Sequence, residues 1–173
     1  CVILESSASR ARREIESQGQ LLSVAMCMDG SRSATPHVAG EVRAMQCALM
    51  QARVAEQEID YINAHGTSTP AGDKAELEAI DTLFNEKQLM PWVNSTKSII
   101  GHCLWSAGIV ELISVLLQMK HNFVHGNRNL ENPIKTSCRL VGKNQQRAAV
   151  KYALSNAFGF GGINSSLVVG KSS

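Results

Sequence analysis

The densest run of reactive and hydrogen-bonding side chains is Tyr61 to Asp73, Tyr-Ile-Asn-Ala-His-Gly-Thr-Ser-Thr-Pro-Ala-Gly-Asp. Ile59, Tyr61 and Ala64 are apolar and the run includes β-formers, so a strand is expected up to the histidine. His65 then stands where that strand stops, with Thr67 and Thr69 close behind it. Ligands of α/β folds gather at the carboxyl ends of strands. An imidazole there, flanked by hydroxyls, is placed to act on a substrate. A second pair, Lys97 and His102, lies five residues apart after another short apolar run. A third stretch, Asn156 to Asn164, holds Gly159, Gly161 and Gly162 around Phe158 and Phe160. Taken alone, each has a plain structural reading: a core histidine, a histidine at a helix start, a tight turn between strands.

The elements that must position these groups follow from pattern. Leu21 to Met28 is apolar and β-compatible. Val38, Val42, Met45, Leu49 and Ala52 recur at steps of four and three, one face of a helix running toward Glu58. Asp73 to Asn85 is a further helix, with Leu77, Ile80 and Phe84 on its buried side. Asp73 reads as its N-cap, and Glu76 three residues on completes a capping-box pattern. Met90 to Thr96 is a strand, and Lys97 to Gly101 a loop. Ser106 to His121 is a helix apolar almost all round, hence buried on most sides. Its amino end points partial positive charge toward His102. A β-compatible piece runs from Cys138 to Val141, Gly142 to Arg147 is a polar loop, and strands at Lys151–Ser155 and Asn164–Val169 flank the glycine stretch. Alternating strands and helices argue a layered α/β fold, and 173 residues argue one domain, 1–173.

Composition narrows the function classes. The chain is 44% hydrophobic and 18% charged, with a formal net charge of +2, so nothing suggests the clustered basic face that nucleic acid needs. No apolar run reaches membrane-spanning length, and no basic segment precedes an apolar one at the start as in a signal peptide. The five cysteines are an odd count with no CxxC pair, which suits reduced thiols in the cytoplasm. No metal-ligand spacing stands out. Cys1 to Glu5 reads as an apolar strand with no lead-in. The polar, arginine-rich run Ser6 to Gln18 reads as a solvated helix with Ala8, Ala11 and Ile15 on one side.

Three stretches, in this order, resemble the β-ketoacyl-acyl carrier protein synthases, the condensing enzymes of fatty acid and polyketide synthesis. His65-Gly-Thr-Ser-Thr-Pro-Ala-Gly-Asp73 resembles their first histidine motif. Asn94-Ser-Thr-Lys-Ser-Ile-Ile-Gly-His102 resembles the lysine and second histidine motif, and Asn156-Ala-Phe-Gly-Phe-Gly-Gly-Ile-Asn164 the glycine-rich gating loop. The resemblance covers nearly the whole chain, but only the carboxyl-terminal half of the family's domain. It implies a thiolase-like α-β-α-β-α sandwich to which this chain supplies that half, with the long apolar helix between the two central sheets.

It also implies roles. His65 and His102 would offer N–H groups to the malonyl thioester oxygen, and Lys97 would hold the site's electrostatics with Glu76 in contact. Thr67 and Thr69 would bind the pantetheine arm, and Phe160 would gate the acyl cavity on its glycine hinges, beside Phe158. The expected reaction is decarboxylating Claisen condensation of an acyl thioester with malonyl-acyl carrier protein. No metal or other cofactor is implied beyond the carrier's phosphopantetheine arm. The nucleophilic cysteine belongs to the absent amino-terminal half, the first expected partner. The carrier protein and a second ketosynthase-type subunit, in a homodimer or heterodimer, are the others. The alternative is a non-catalytic chain-length-factor or scaffold subunit, against which the complete His65, His102 and Lys97 set argues. Ile163, Trp105 and Cys103 depart from the family's usual residues and favour a specialised polyketide-type or polyene-type synthase.

Overall fold

The computed structural model describes residues 1–30, 33–84 and 90–172. Its centre is a six-stranded sheet: β1 (Gln20–Met28), β2 (Tyr61–Asn63), β3 (Trp92–Asn94), β5 (Arg139–Leu140), β7 (Tyr152–Gly159) and β8 (Ile163–Gly170). Their order across the sheet is β1-β8-β7-β2-β3-β5. β7, β2, β3 and β5 run parallel, and β8 runs against both β7 and β1. A separate antiparallel pair joins β4 (Phe123–Val124) to β6 (Gln146–Arg147).

Side-chain alternation along the strands feeds two cores. On one face Ile62, Val93, Leu154 and Val168 meet α2 (Val38–Ala52), through Met45, Ala48 and Leu49, and α3 (Pro70–Phe84), through Ala79, Ile80 and Phe84. On the other, Tyr61, Ala153 and Val169 meet Leu112, Val115 and Met119 of α5 (Ala107–His121). The result is a three-layer α-β-α unit with every residue of β2 buried.

Several boundaries differ from the sequence expectation. Cys1 to Glu5 forms no strand, because nothing among the described residues pairs with it; Ile3 and Leu4 stay exposed. The arginine-rich helix, α1, is only Ser7–Arg13, capped by Ser6 and ended by Glu14 in the left-handed region. α2 stops at Ala52, where Arg53 turns left-handed, and Glu56–Glu58 is a separate 3-10 turn. α3 begins at Pro70 rather than Asp73. Proline suits the first turn because its missing N–H would be unpaired there anyway, so Asp73 lies inside the helix and is not its N-cap. Asn85, the expected last residue of that helix, lies outside the described residues. β3 stops at Asn94 because the next two amides are diverted: Ser95 N–H donates to Asn127 Oδ1 at 3.0 Å and Thr96 N–H to Asn63 Oδ1 at 3.3 Å. The expected loop after it is a helical turn, α4 (Lys97–Ile100). β6 falls inside the expected polar loop. α5 is not buried on most sides: Ile109 and Leu117 are about half exposed.

Candidate active site

The carboxyl ends of the parallel strands converge on one edge of the sheet. Asp29 follows β1, His65 follows β2, Lys97 follows β3 and Phe160 follows β7. This is where an α/β sheet presents ligands, and a cavity of about 360 Å³ opens beside it. Thr67, Asp73, Glu76, Lys97 and His102 line its polar side, and Leu77, Leu130, Ile134 and Leu140 its apolar side.

The turn after β2 is fixed by Glu76, reaching back from α3. Its carboxylate accepts the His65 N–H at 2.8 Å, the Gly66 N–H at 2.9 Å and Asn156 Nδ2 at 3.2 Å. Burial pushes the Glu76 carboxyl up, while these donors and Lys97 pull it down. Gly66 sits at φ +44°, and a Cβ there would meet the Ser95 side chain at 2.6 Å, so the turn needs glycine for two reasons. Asp73 accepts the Ser68 N–H at 3.1 Å, and the Thr67 and Thr69 hydroxyls pair at 3.1 Å on the exposed rim.

Lys97 enters from β3 with its side chain only 6% exposed. Its ammonium spends its three hydrogens on Glu111 Oε1 at 2.5 Å, His65 O at 2.6 Å and His65 Nδ1 at 3.3 Å. The lysine's carboxylate partner is therefore Glu111 on α5, not Glu76. Because an ammonium can only donate, His65 Nδ1 is the acceptor and the ring proton resides on Nε2. Burial first, then Lys97 and His102, lower the His65 pKa to about 3, so the imidazole is neutral at physiological pH. His102 is oriented the same way, for Leu104 N–H donates to its Nδ1 at 3.0 Å. Leu104 itself stands at φ +49°, a costly conformation for leucine. The two rings stand 5.8 Å apart at 87°, with Phe158 6.1 Å from His65. The site thus presents two imidazoles whose ring proton lies on Nε2, and beside His65 the Lys97 ammonium opposes protonation. Such a pair can stabilise a developing oxyanion.

The expected gating loop is shorter than its motif. Gly159 still pairs with Ile163 in the β7–β8 ladder, so only Phe160, Gly161 and Gly162 form the turn. Gly161 and Gly162 have positive φ, and Phe160 is 82% exposed. The base of the turn is held by Asp29, which sequence reading missed. Asp29 N–H donates to Gly162 O at 2.9 Å, and its carboxylate accepts Asn164 Nδ2 and Arg43, each at 2.7 Å. Glu111 and the Leu104 amide were missed as well. The available signals were a lone acid within an apolar helix, and an aspartate followed by glycine at a strand end. His125 is buried and packs its Nε2 against Thr96 Oγ1 at 3.3 Å.

Comparison with known proteins agrees with this geometry. Residues 19–131 match the family described as "Beta-ketoacyl synthase, C-terminal domain". The chain is 39% identical over 168 residues to the "Polyketide biosynthesis malonyl-ACP decarboxylase PksF" of Bacillus subtilis, covering 97% of this chain and 40% of that protein. It is 39% identical over 172 residues to the chloroplastic "3-oxoacyl-[acyl-carrier-protein] synthase II" of Arabidopsis thaliana, covering 96% of this chain and 31% of that one. A type II polyketide ketosynthase solved with its acyl-carrier protein, AntDE:AntF, superposes with a TM-score of 0.91 at 26% identity, over 96% of this chain and 42% of the other. The chain therefore spans well under half the length of these relatives, and its fold is that of one half of the thiolase-like ketosynthase sandwich. With 113 of its residues inside the family match, the chain belongs to the β-ketoacyl synthases, as a carboxyl-terminal domain of that family.

Proposed function

We propose that this chain carries the malonyl-decarboxylating half of a β-ketoacyl-acyl carrier protein synthase. The observation that carries the reading is the matched protonation of His65 and His102: each Nδ1 is already occupied by a donor, which leaves each Nε2–H to point at substrate. A malonyl thioester oxygen held between them gains negative charge as the carboxylate departs as carbon dioxide. The two N–H groups stabilise that enolate without giving up their protons. The enolate carbon then attacks an acyl thioester on a cysteine, expelling the thiolate and forming the 3-oxoacyl product. No cysteine lines the cavity among the described residues, and the acylated cysteine is assigned to the amino-terminal half of the same domain, the first partner. The carrier protein is the second, its pantetheine arm passing Thr67 and Thr69 under the Phe160 turn, and a further ketosynthase-type subunit the third. No cofactor besides that arm is required.

A second reading follows from the likeness to a malonyl-ACP decarboxylase. In it the same enolate is protonated to an acetyl thioester instead of attacking an acyl group. Both readings use this half identically and differ in the nucleophile elsewhere.

The test uses the protein in its natural full-length context, with carboxyl-labelled malonyl-acyl carrier protein. His65→Ala and His102→Ala are each expected to slow label release roughly 10²–10³-fold, the cost of losing one oxyanion donor. Full release by either variant refutes the role of that histidine. The product, acetyl or 3-oxoacyl thioester, decides between the two readings.

A further inference from the structure

The residues beside His65 and Lys97 form a second set of contacts, which the proposed reaction does not use. Thr96, one residue before the lysine, is 3% exposed, and Asn63, two before the histidine, is fully buried. Asn63 Oδ1 accepts the Thr96 N–H at 3.3 Å and the Thr96 hydroxyl at 2.7 Å. Its Nδ2 donates to Ser155 Oγ of β7 at 3.2 Å. A hydroxyl has one proton to give, and Thr96 spends it on Asn63. Ser114 Oγ of α5, 3.1 Å from the same oxygen, is therefore the donor in that contact. His125 Nε2 faces the oxygen as well, at 3.3 Å.

Both sets join the same three elements. Asn63 and His65 belong to β2 and the turn after it, and Thr96 and Lys97 to the chain leaving β3. Ser114 and Glu111 belong to α5, one helical turn apart on one face. His65, Lys97 and Glu111 meet through an ammonium at the end of a flexible four-carbon stem. Asn63, Thr96 and Ser114 meet through short side chains rooted close to the backbone. The Lys97 Nζ to His65 Nδ1 contact, at 3.3 Å, is already long for a hydrogen bond, so a small outward shift breaks it.

We propose that Thr96 is a positioning residue for the histidine site. Its hydroxyl, clamped between Asn63 and Ser114, sets the spacing of β2, the Lys97 turn and α5. That spacing keeps the lysine ammonium on His65 Nδ1, and so keeps the ring proton on Nε2. Thr96 itself acts only through Lys97. The effect on turnover rests on the function proposed above, whereas the effect on the His65 ring does not.

The experiment reads the ring nitrogens of His65 by NMR in the full-length protein, with isotope-labelled histidine and the signal assigned by its loss in His65→Gln. The wild type is expected to show a protonated Nε2 and a bare Nδ1. Thr96→Val removes the hydroxyl at nearly constant shape, and Nδ1 is then expected to share the proton. Release of labelled carbon dioxide from malonyl-acyl carrier protein is expected to slow roughly 10–10²-fold at unchanged KM, the cost of a small misplacement. Thr96→Ser returns the hydroxyl without the methyl and is expected to restore both readouts. A wild-type ring in Thr96→Val, or a ring as altered in Thr96→Ser as in Thr96→Val, overturns the positioning role. Should Thr96→Val fail to fold, Ser114→Ala decides: it removes the α5 leg at a half-buried helical position that suits alanine. A ring shifted in the same direction supports the role, and a wild-type ring overturns it. A shifted ring with unchanged label release leaves the positioning role standing and refutes the catalytic reading of His65, so the two can fail separately.

Discussion

At the residue scale, Lys97 and Glu111 set the terms. Glu111 is 1% exposed and its Oε2 has no hydrogen-bond partner among the described residues, so its charge is tolerated because the lysine meets it. Lys97→Met is expected to cost about 3–5 kcal/mol, the penalty of stranding one member of a buried pair. Adding Glu111→Gln to that variant removes the stranded charge, and the denaturant midpoint is expected to recover in large part. Decarboxylation is not expected to return with it, because His65 Nδ1 would have lost the donor that keeps its proton on Nε2. Recovery of both would mean that the lysine serves folding alone. His65, Lys97 and His102 were legible in the sequence as candidates because they sit in short segments at fixed spacings after strands. Glu111 was not, since it lies 14 residues beyond Lys97 in the next long helix and no local pattern joins them. Glu76 was legible as a residue but not as a contact. Its carboxylate reaches the backbone of His65 and Gly66, which only the three-dimensional turn brings within range.

At the scale of elements, α2 carries an uncommon burden. Glu41 is 2% exposed, its Oε2 lacks a partner among the described residues, and burial, then Glu76 and Asp29, raise its pKa to about 8. The folded protein therefore keeps a proton that the unfolded chain releases above pH 4.5. Stability falls as pH rises from there through about 8, because the fold holds more protons than the unfolded state. Glu41→Gln has no such proton to lose. Its melting temperature is expected to exceed that of the wild type at pH 8, with the gap closing toward pH 4.5. A pH-independent gap would place the effect in packing.

The β7–β8 hairpin makes a different case. Phe160 is 82% exposed, so it fills no core within this chain. Phe160→Ala is expected to leave unfolding of the chain within about 0.5 kcal/mol of the wild type. In the full-length protein it is expected to alter acyl-chain selection in competition assays, as a gate would. Both strands of this hairpin were foreseen from their apolar runs, but shorter than they are, since glycines were read as loop where Gly159 remains in the ladder. β4 and β6 were not foreseen, for strands of two residues leave no period to read. The start of α3 was misplaced because Asp73 looked like a cap, although Pro70 already marked the first turn.

At the scale of the molecule, an apolar surface remains uncovered. Val24, Met26 and Met28 on β1, Ile109 and Leu117 on α5, and Ile3 and Leu4 are all 47% exposed or more. Patches beyond a few hundred Å² are uncommon on soluble monomers. Prepared alone, the 173-residue chain is expected to self-associate or to need a covering polypeptide. A folded, monodisperse 18.7 kDa species in sedimentation would contradict this. The layered α/β class was readable from the alternation of elements. The strand order was not, since it depends on pairings that no local pattern announces.

That strand order has a bearing on how the site comes into being. β2, which delivers His65, pairs on one side with β3 and on the other with β7, Tyr61 opposite Ala153. Asn63 and Glu76 likewise wait for Ser155 and Asn156. A ribosome emits about 5–20 residues per second, so the strand bearing the histidine emerges seconds before its second neighbour. Until then β2 is an edge, and the turn after it lacks one of the bonds that fix its shape. Pairings this distant in sequence are slow to close. The corner that holds His65 is thus among the last parts of the nascent chain to mature, and a product cut short before Tyr152 would leave it unformed while α2 and α3 could already have docked.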